Sequence, residues 1–166
     1  MVISKQIDKV ENDYNLDLVI KTDKAPLSIR LFLGIFMIIG FLTPLIVLIF
    51  SFYSDLEIGF SYIITLIIGV GVGFYLLRLI LWNTYGKEIL KITPERVDYH
   101  CDYRYFKGNK KILEGSPFRI KPIFGYKAIY GKLNIENDSD SLTTNIDIDK
   151  DSIFGLIDIL EERLNK

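Results

Sequence analysis

Two long uncharged stretches constrain this chain more than anything else in it. Between Arg30 and Asp55 run twenty-four residues, LFLGIFMIIGFLTPLIVLIFSFYS, and between Glu57 and Arg78 twenty more, IGFSYIITLIIGVGVGFYLL. As helices, both are long enough to cross roughly 30 Å of hydrocarbon, for which about 20 residues suffice. The alternative is a pair of core helices wrapped in protein. A chain of 166 residues is too short to surround two such helices. The sequence therefore predicts a transmembrane helical hairpin over 31–82, with spans at about 31–53 and 58–82. Hydrophobic content of 49% beside 25% charge fits such a division into apolar and polar parts.

Thirty residues precede the first run and no small-residue cleavage site follows it, so it reads as an uncleaved anchor. Lys5, Lys9, Lys21, Lys24 and Arg30 precede the first span, and Arg78, Lys87 and Lys91 follow the second. The SDLE connection carries only Asp55 and Glu57. Positive charge retained on one side predicts an integral protein of the cytoplasmic (inner) membrane with both termini in the cytoplasm. Arg30, Arg78, Trp82, Tyr85 and Lys87 stand where interfacial anchors belong. The single cysteine, Cys101, rules out an intramolecular disulfide and suits a reducing compartment.

Beyond Tyr85 the period changes from helical to two. In RVDYHCDYRY, 96–105, Val97, Tyr99, Cys101, Tyr103 and Tyr105 alternate with polar residues, which predicts a half-buried antiparallel strand. KEILKI precedes it across a turn at Pro94. Shorter alternating pieces follow at 110–115, 118–122, 126–130, 132–137 and 142–148, separated by turn-forming residues. The chain closes on a helix over 151–165, with Ile153, Leu156, Ile157, Leu160 and Leu164 on one face and Asp149, Asp151 or Ser152 as its cap. About seven strands and one amphipathic helix make 86–166 a cytoplasmic α+β domain, an antiparallel sandwich or barrel. Residues 1–30 form an N-terminal segment in which 14–20 either adds a strand to that domain or simply leads into the first span.

This order resembles the pleckstrin-homology (PH) fold, and the whole layout resembles small bacterial two-span membrane proteins with a PH-like cytoplasmic domain. Trp82 at the end of the second span carries the resemblance, with Gly86, Lys87 and Glu88 leading into the EILKIT strand. The resemblance implies a location and a scaffold without a specific activity. Phosphoinositide recognition is not implied, because the ITPERV turn between the first two strands holds only Arg96.

Neither span contains Asp, Glu, Lys or His, so an ion or proton pathway within them is disfavoured. GVGVG (69–73) lies inside a span and lacks the strand-to-helix context of a nucleotide loop. Gly69 and Gly73 instead form GxxxG, which lets helix backbones approach closely. Gly34 and Gly40 are their prospective partners within the hairpin, and packing between copies into a homo-oligomer is the alternative. Pro44 is placed to kink the first span. His100 and Cys101, adjacent on a strand, face opposite ways and cannot converge as a nucleophile and base. One His and one Cys cannot build the usual zinc sites, and the acidic residues lack calcium-loop spacing. No catalytic residue, metal or cofactor is expected.

Charge is polarised along the soluble part. Lys87 to Lys132 holds eleven basic and five acidic residues, and Leu133 to Lys166 three basic and nine acidic. RYFKGNKK (104–111) is the best candidate for lipid or partner contact, through Arg104, Tyr105, Phe106, Lys107, Lys110 and Lys111. The competing reading is a solvated hairpin tip. A near-neutral chain on a membrane anchor is a poor nucleic-acid binder. The sequence thus points to a non-enzymatic, membrane-anchored binding or scaffold module whose partners are a protein and membrane lipid. An accessory subunit or immunity-type protein acting through its hairpin is the alternative.

Overall fold

The computed structural model describes residues 2–4, 6–11, 15–53, 59–125 and 129–164, with 2–4 and 11 described by their backbone alone. They divide into two compact units, Met1–Asp23 with Tyr85–Lys166, and Lys24–Thr84. The SDLE connection, with Asp55 and Glu57, and most of the strand expected at 126–130 lie outside the described residues.

The second unit consists of α1 (Leu27–Tyr53) and most of α2 (Phe60–Tyr85). Both extend beyond the uncharged runs: α1 begins directly after Pro26, a residue suited to a helix start, and α2 carries Trp82 and Tyr85 in its last turn. Both helices are long and apolar enough to cross a membrane. Their exposure is inverted relative to a soluble protein. Pro44 is the sole buried residue of α1, and Gly69, Gly73 and Leu81 are those of α2. Phe32, Ile35, Ile46, Phe50, Ile67 and Phe74 all stand exposed. Three hydroxyls inside the helices are satisfied by their own backbone: Thr43 donates to the Ile39 carbonyl at 2.7 Å, Ser51 to Val47 at 3.0 Å and Thr65 to Ser61 at 3.0 Å.

The helices touch where α1 presents Gly40, Phe41 and Pro44. A Cβ on Gly69 would stand 2.8 Å from the Gly40 carbonyl oxygen and 3.0 Å from Pro44 Cδ, and one on Gly73 2.9 Å from the Phe41 ring. Gly34, the other prospective partner, has nothing within 4 Å of its Cβ position. Pro44 thus serves packing, and α1 continues through it.

The first unit contains two antiparallel sheets and a helix. One sheet runs β1 (Val2–Ser4), β2 (Ile7–Glu11), β3 (Leu16–Lys21), β4 (Lys87–Thr93), β5 (Arg96–Asp102) and β6 (Lys107–Glu114) in that order. The other places β8 (Tyr130–Glu136) between β7 (Arg119–Phe124) and β10 (Ile148–Asp149), with β9 (Ser141–Thr143) also paired to β8. The N-terminal segment therefore contributes three strands rather than one. β3 and β4 are direct neighbours, Lys21 opposite Lys87, so the helical hairpin is an insertion between two paired strands. Beyond that pair the Thr22 amide donates to the Gly86 carbonyl at 3.0 Å.

The inward faces supply the core: Ile7, Leu16, Leu18 and Ile20 from β2 and β3, Leu90, Ile92, Val97 and Leu113 from β4 to β6, and Leu133, Ile135 and Leu142 from the second sheet. α3 (Lys150–Leu164) adds Ile153, Leu156, Ile157, Leu160 and Leu164, the face its sequence period indicated. The Ser152 amide donates to Asp149 Oδ1 at 2.9 Å, which caps the helix, and the Ser152 side chain and amide together hold the Asp149 carboxyl below its ordinary pKa.

Strand boundaries differ from the alternation of the sequence: the strand expected at 110–115 begins at Lys107 and runs through Gly108 and Asn109, and three further differences have a visible cause. β5 stops at Asp102: Arg104 takes φ +80°, its amide accepted by Asp102 Oδ1 at 2.8 Å, so Tyr103 still points inward but Tyr105 does not. The segment 142–148 is two strands, because the Thr144 amide bonds the Leu133 carbonyl and its hydroxyl accepts the Leu133 amide, both at 2.9 Å, which closes β9. Gly131 does not separate strands but lies within β8, where the Phe124 ring fills the place of a side chain. A Cβ there would meet Phe124 Cδ1 at 2.8 Å and the Ile123 carbonyl at 3.1 Å. Gly131→Ala is accordingly expected to cost about 1–3 kcal/mol, the usual penalty for overpacking. Urea unfolding checks this, and Phe124→Leu in the same chain should recover much of the loss.

Candidate functional site

The six residues expected to contact lipid or a partner do not share one surface. Tyr103–Phe106 forms the turn between β5 and β6, with the Tyr103 amide bonded to the Phe106 carbonyl at 3.0 Å and their rings stacked at 4.6 Å. Tyr105 projects from it, 73% exposed. The Arg104 guanidinium lies 4.4 Å from the centre of the Tyr85 ring and 5.5 Å from that of Tyr105, within cation–π range.

Past the turn, β6 carries a bulge. Tyr99 pairs with Lys111 and Cys101 with Gly108, so Asn109, at φ +50°, and Lys110 together oppose His100. The extra residue puts Lys107 and Lys111, which plain alternation would place on one face, on opposite faces. Lys111 donates to Asp140 Oδ1 at 2.8 Å and to the Ser141 carbonyl, tying β6 to the second sheet. Lys107 and Lys110 stay exposed.

Much of the charge polarity is spent internally in the same way. Arg119 pairs with Asp138, Lys121 with Glu136, and Arg96 with Asp98 and Glu114. Lys87, Arg104, Lys107 and Lys110 enter no ion pair among the described residues. Three of these four cluster at one end of the sheet, since Lys87 opposes Asp102 and Asp102 opposes Lys107. Of the other anchor residues, Trp82 is half-buried, Arg78 is exposed, and the Arg30 Nε is buried without a hydrogen-bond acceptor among the described residues.

A polar cluster that the sequence reading passed over lies in the core at the same end. Glu88 is fully buried, its neighbours across β3 and β5 being Ile20 and Cys101. Its Oε1 accepts the Tyr99 hydroxyl at 2.7 Å and the Asn145 amide at 2.6 Å. The Asn145 side chain donates to the Tyr99 oxygen at 2.7 Å and reaches Cys101 Sγ at 3.6 Å. Tyr99 gives its single proton to Glu88, so in the 3.3 Å contact with Cys101 the thiol is the donor. Asn145 belongs to the connection between β9 and β10. The cluster is therefore a polar tie between the sheets. Glu88 Oε2 has no partner among the described residues.

Burial pushes the Glu88 carboxyl above its ordinary pKa despite its hydrogen bonds, and pushes the Cys101 thiol and Tyr99 phenol up as well. Burial thus disfavours the charged form of each of the three groups. A buried thiol with a raised pKa is a poor nucleophile. Native protein is expected to leave Cys101 unmodified by a maleimide, and urea to release one thiol per chain. Labelling of the folded protein at the rate of a free thiol would contradict that placement.

His100 faces away from Cys101 on the other side of β5, as alternation requires. Burial and the nearby Lys107 lower its pKa, and its Nε2 is buried without a partner among the described residues. No group of three His, Cys, Asp or Glu side chains suited to a metal occurs among the described residues. Compared with known proteins, the chain matches no family model, no curated protein and no solved structure.

Proposed function

We propose that this chain is a non-enzymatic, membrane-anchored binding module. Its two helices span the cytoplasmic membrane, and its sheet unit, of a PH-like kind with a C-terminal helix, docks a protein partner on the cytoplasmic side. The observation that carries this reading is the double connection between helices and sheet. α1 follows β3 after the five residues 22–26, and α2 passes into β4 through Gly86 alone. At no more than about 3.6 Å per residue, such links keep the sheet unit close to its anchors and raise the local concentration of any partner in the same membrane.

Further features support it. The helices expose apolar side chains, and Thr43, Ser51 and Thr65 bond back to their own helix, which suits a solvent without hydrogen-bonding partners. Gly69 and Gly73 are occupied by α1, which favours the sheet unit over the helices as the docking element. The burial of Glu88, Tyr99 and Cys101 in one hydrogen-bonded cluster suits a structural tie better than acid–base or nucleophilic chemistry. The outer sheet face combines exposed Val10 and Ile112 with half-buried Val19, Ile89 and His100, beside Lys91 and Asp98, a mixture typical of docking surfaces.

Photo-crosslinking of the full chain in native membranes tests this, with the crosslinker at Lys91 or Ile112 on the sheet, or at Phe36 or Ile67 on the helices. A protein adduct formed from the sheet positions, and lost when Ile112 is replaced by Glu, is expected. Adducts formed only from the helix positions would move the function to the hairpin and favour the accessory-subunit reading. Alkaline extraction checks the anchor separately: the chain should remain with the membrane fraction.

A further inference from the structure

We propose that the end of the six-stranded sheet formed by Lys87, Lys107 and the Tyr103–Phe106 turn seats on anionic lipid headgroups, with Arg104 as its central contact. The inference rests on the membrane-anchored reading and deepens it by naming a second, direct contact with the bilayer surface.

Chain geometry places this row near the membrane. Lys87 lies two residues after Tyr85, where α2 ends, so its Cα is within about 7 Å of that residue. Asp102 and Lys107 follow in the adjoining strands, at roughly 4.8 Å per strand. Lys107 is therefore about 10 Å from Lys87 across the sheet. The Arg104–Tyr85 contact brings the turn itself to the residue that closes α2. Tyrosine at a span's end favours the headgroup level.

Chemistry selects the lipid. Lys87, Arg104 and Lys107 carry three positive charges against Asp102, which sits between the two lysines in register and also accepts the Arg104 amide. The neighbouring Lys21 is already neutralised by Asp8. Lys111, Arg119 and Lys121 are paired with acids of the second sheet and its turns, whereas Lys87, Arg104 and Lys107 enter no ion pair among the described residues and cluster at the row adjoining α2. Arg104 between two tyrosine rings holds a guanidinium ready for phosphate without a carboxylate to displace. Tyr105 is the amphipathic side chain suited to the boundary between headgroups and water. The alternative occupant, an acidic protein segment, would use the same charges but gives no reason for an exposed tyrosine and a guanidinium stacked at the end of α2.

Amide hydrogen exchange of the full chain tests this in vesicles of phosphatidylcholine alone and in vesicles also containing phosphatidylglycerol. Exchange at 104–107 is expected to slow in the anionic vesicles by roughly five-fold, the factor for one well-placed basic residue at a charged surface. The difference should shrink at high salt and in Arg104→Gln with Lys107→Gln. Lys121→Gln, which alters a lysine paired with Glu136 in the second sheet, should leave it unchanged. Equal exchange in both vesicles, in a chain that resists alkaline extraction, would overturn the headgroup contact and leave the anchor intact. A chain extracted by alkali would overturn both. Protection at 104–107 in native membranes but not in anionic vesicles would also overturn it, and assign the row to a protein.

Discussion

Replacing Gly69 by alanine is expected to weaken the helical hairpin by about 1–3 kcal/mol, and replacing it by leucine to weaken it further. The added Cβ would lie 2.8 Å from the backbone oxygen of Gly40 and 3.0 Å from the Pro44 ring. Neither neighbour is the end of a flexible side chain, so the helices themselves must move apart. Gly73 is the milder case, because its obstacle is the Phe41 ring, which can turn aside at smaller cost. Gly71 and Gly34 have open space at the Cβ position, and alanine there should be neutral or slightly favourable to the helix. The single tryptophan, Trp82, stands in the last turn of α2 and reports the transition when detergent-solubilised protein is titrated with dodecyl sulfate. Gly69→Ala as silent as Gly71→Ala would mean that the two helices do not cross at these glycines. A lower oligomer size with unchanged unfolding would instead assign the glycine face to contacts between copies.

The helices and the C-terminal helix were readable because their signals are local. An uncharged run of twenty residues or a 3.6-residue apolar period needs no knowledge of the rest of the chain. The glycine pair in α2 was readable as a close-packing motif, but the sequence offered both Gly34 and Gly40 as partners. Choosing between them required the crossing point, a relation between two helices rather than a property of either. The first three strands were harder for the same reason. They precede the helices by sequence, and β1 and β2 reach the sheet through β3, which joins β4 only after the hairpin has returned the chain, more than sixty residues on.

At the candidate site the difference lies in single residues. The alternation through Tyr105 suggested one inward face, but the positive φ of Arg104 ends it. Lys107, Lys110 and Lys111 looked like one basic cluster until the bulge at Asn109 turned Lys111 toward Asp140. Glu88 did leave a legible trace: it shares parity with Leu90 and Ile92 in EILKI, an acid at an apolar position. What the parity could not supply is its partner Asn145, fifty-seven residues away in the connection between β9 and β10.

Removing that acid should have the second large effect. Glu88→Ala would leave the Tyr99 hydroxyl and the Asn145 amide without their acceptor, at about 1–3 kcal/mol for each donor that stays buried and unpaired. Asn145 is itself exposed and can turn to water, so its share falls toward the lower end, while Tyr99 is confined within the core. Glu88→Gln keeps an oxygen for both donors and should recover most of the loss. Its pH dependence separates the ionisation from the hydrogen bonds. Because burial raises the folded pKa of Glu88 above 4.5, its contribution is fully present below that value and is lost as pH rises through the folded pKa. His100 acts in the opposite sense. Its folded pKa lies below 6.5, so its contribution is present above that value and is lost as pH falls through the folded pKa. The two slopes oppose each other in the wild-type chain. Glu88→Gln should expose a rising limb to which His100 contributes around and below pH 6.5, and His100→Gln the falling limb of Glu88. Urea titrations from pH 4 upward, followed by near-ultraviolet circular dichroism of the buried Tyr99 and Tyr103, would resolve them. A Glu88→Gln profile that still falls as pH rises through this window would transfer the effect to another group and remove Glu88 as the ionisable tie between the sheets.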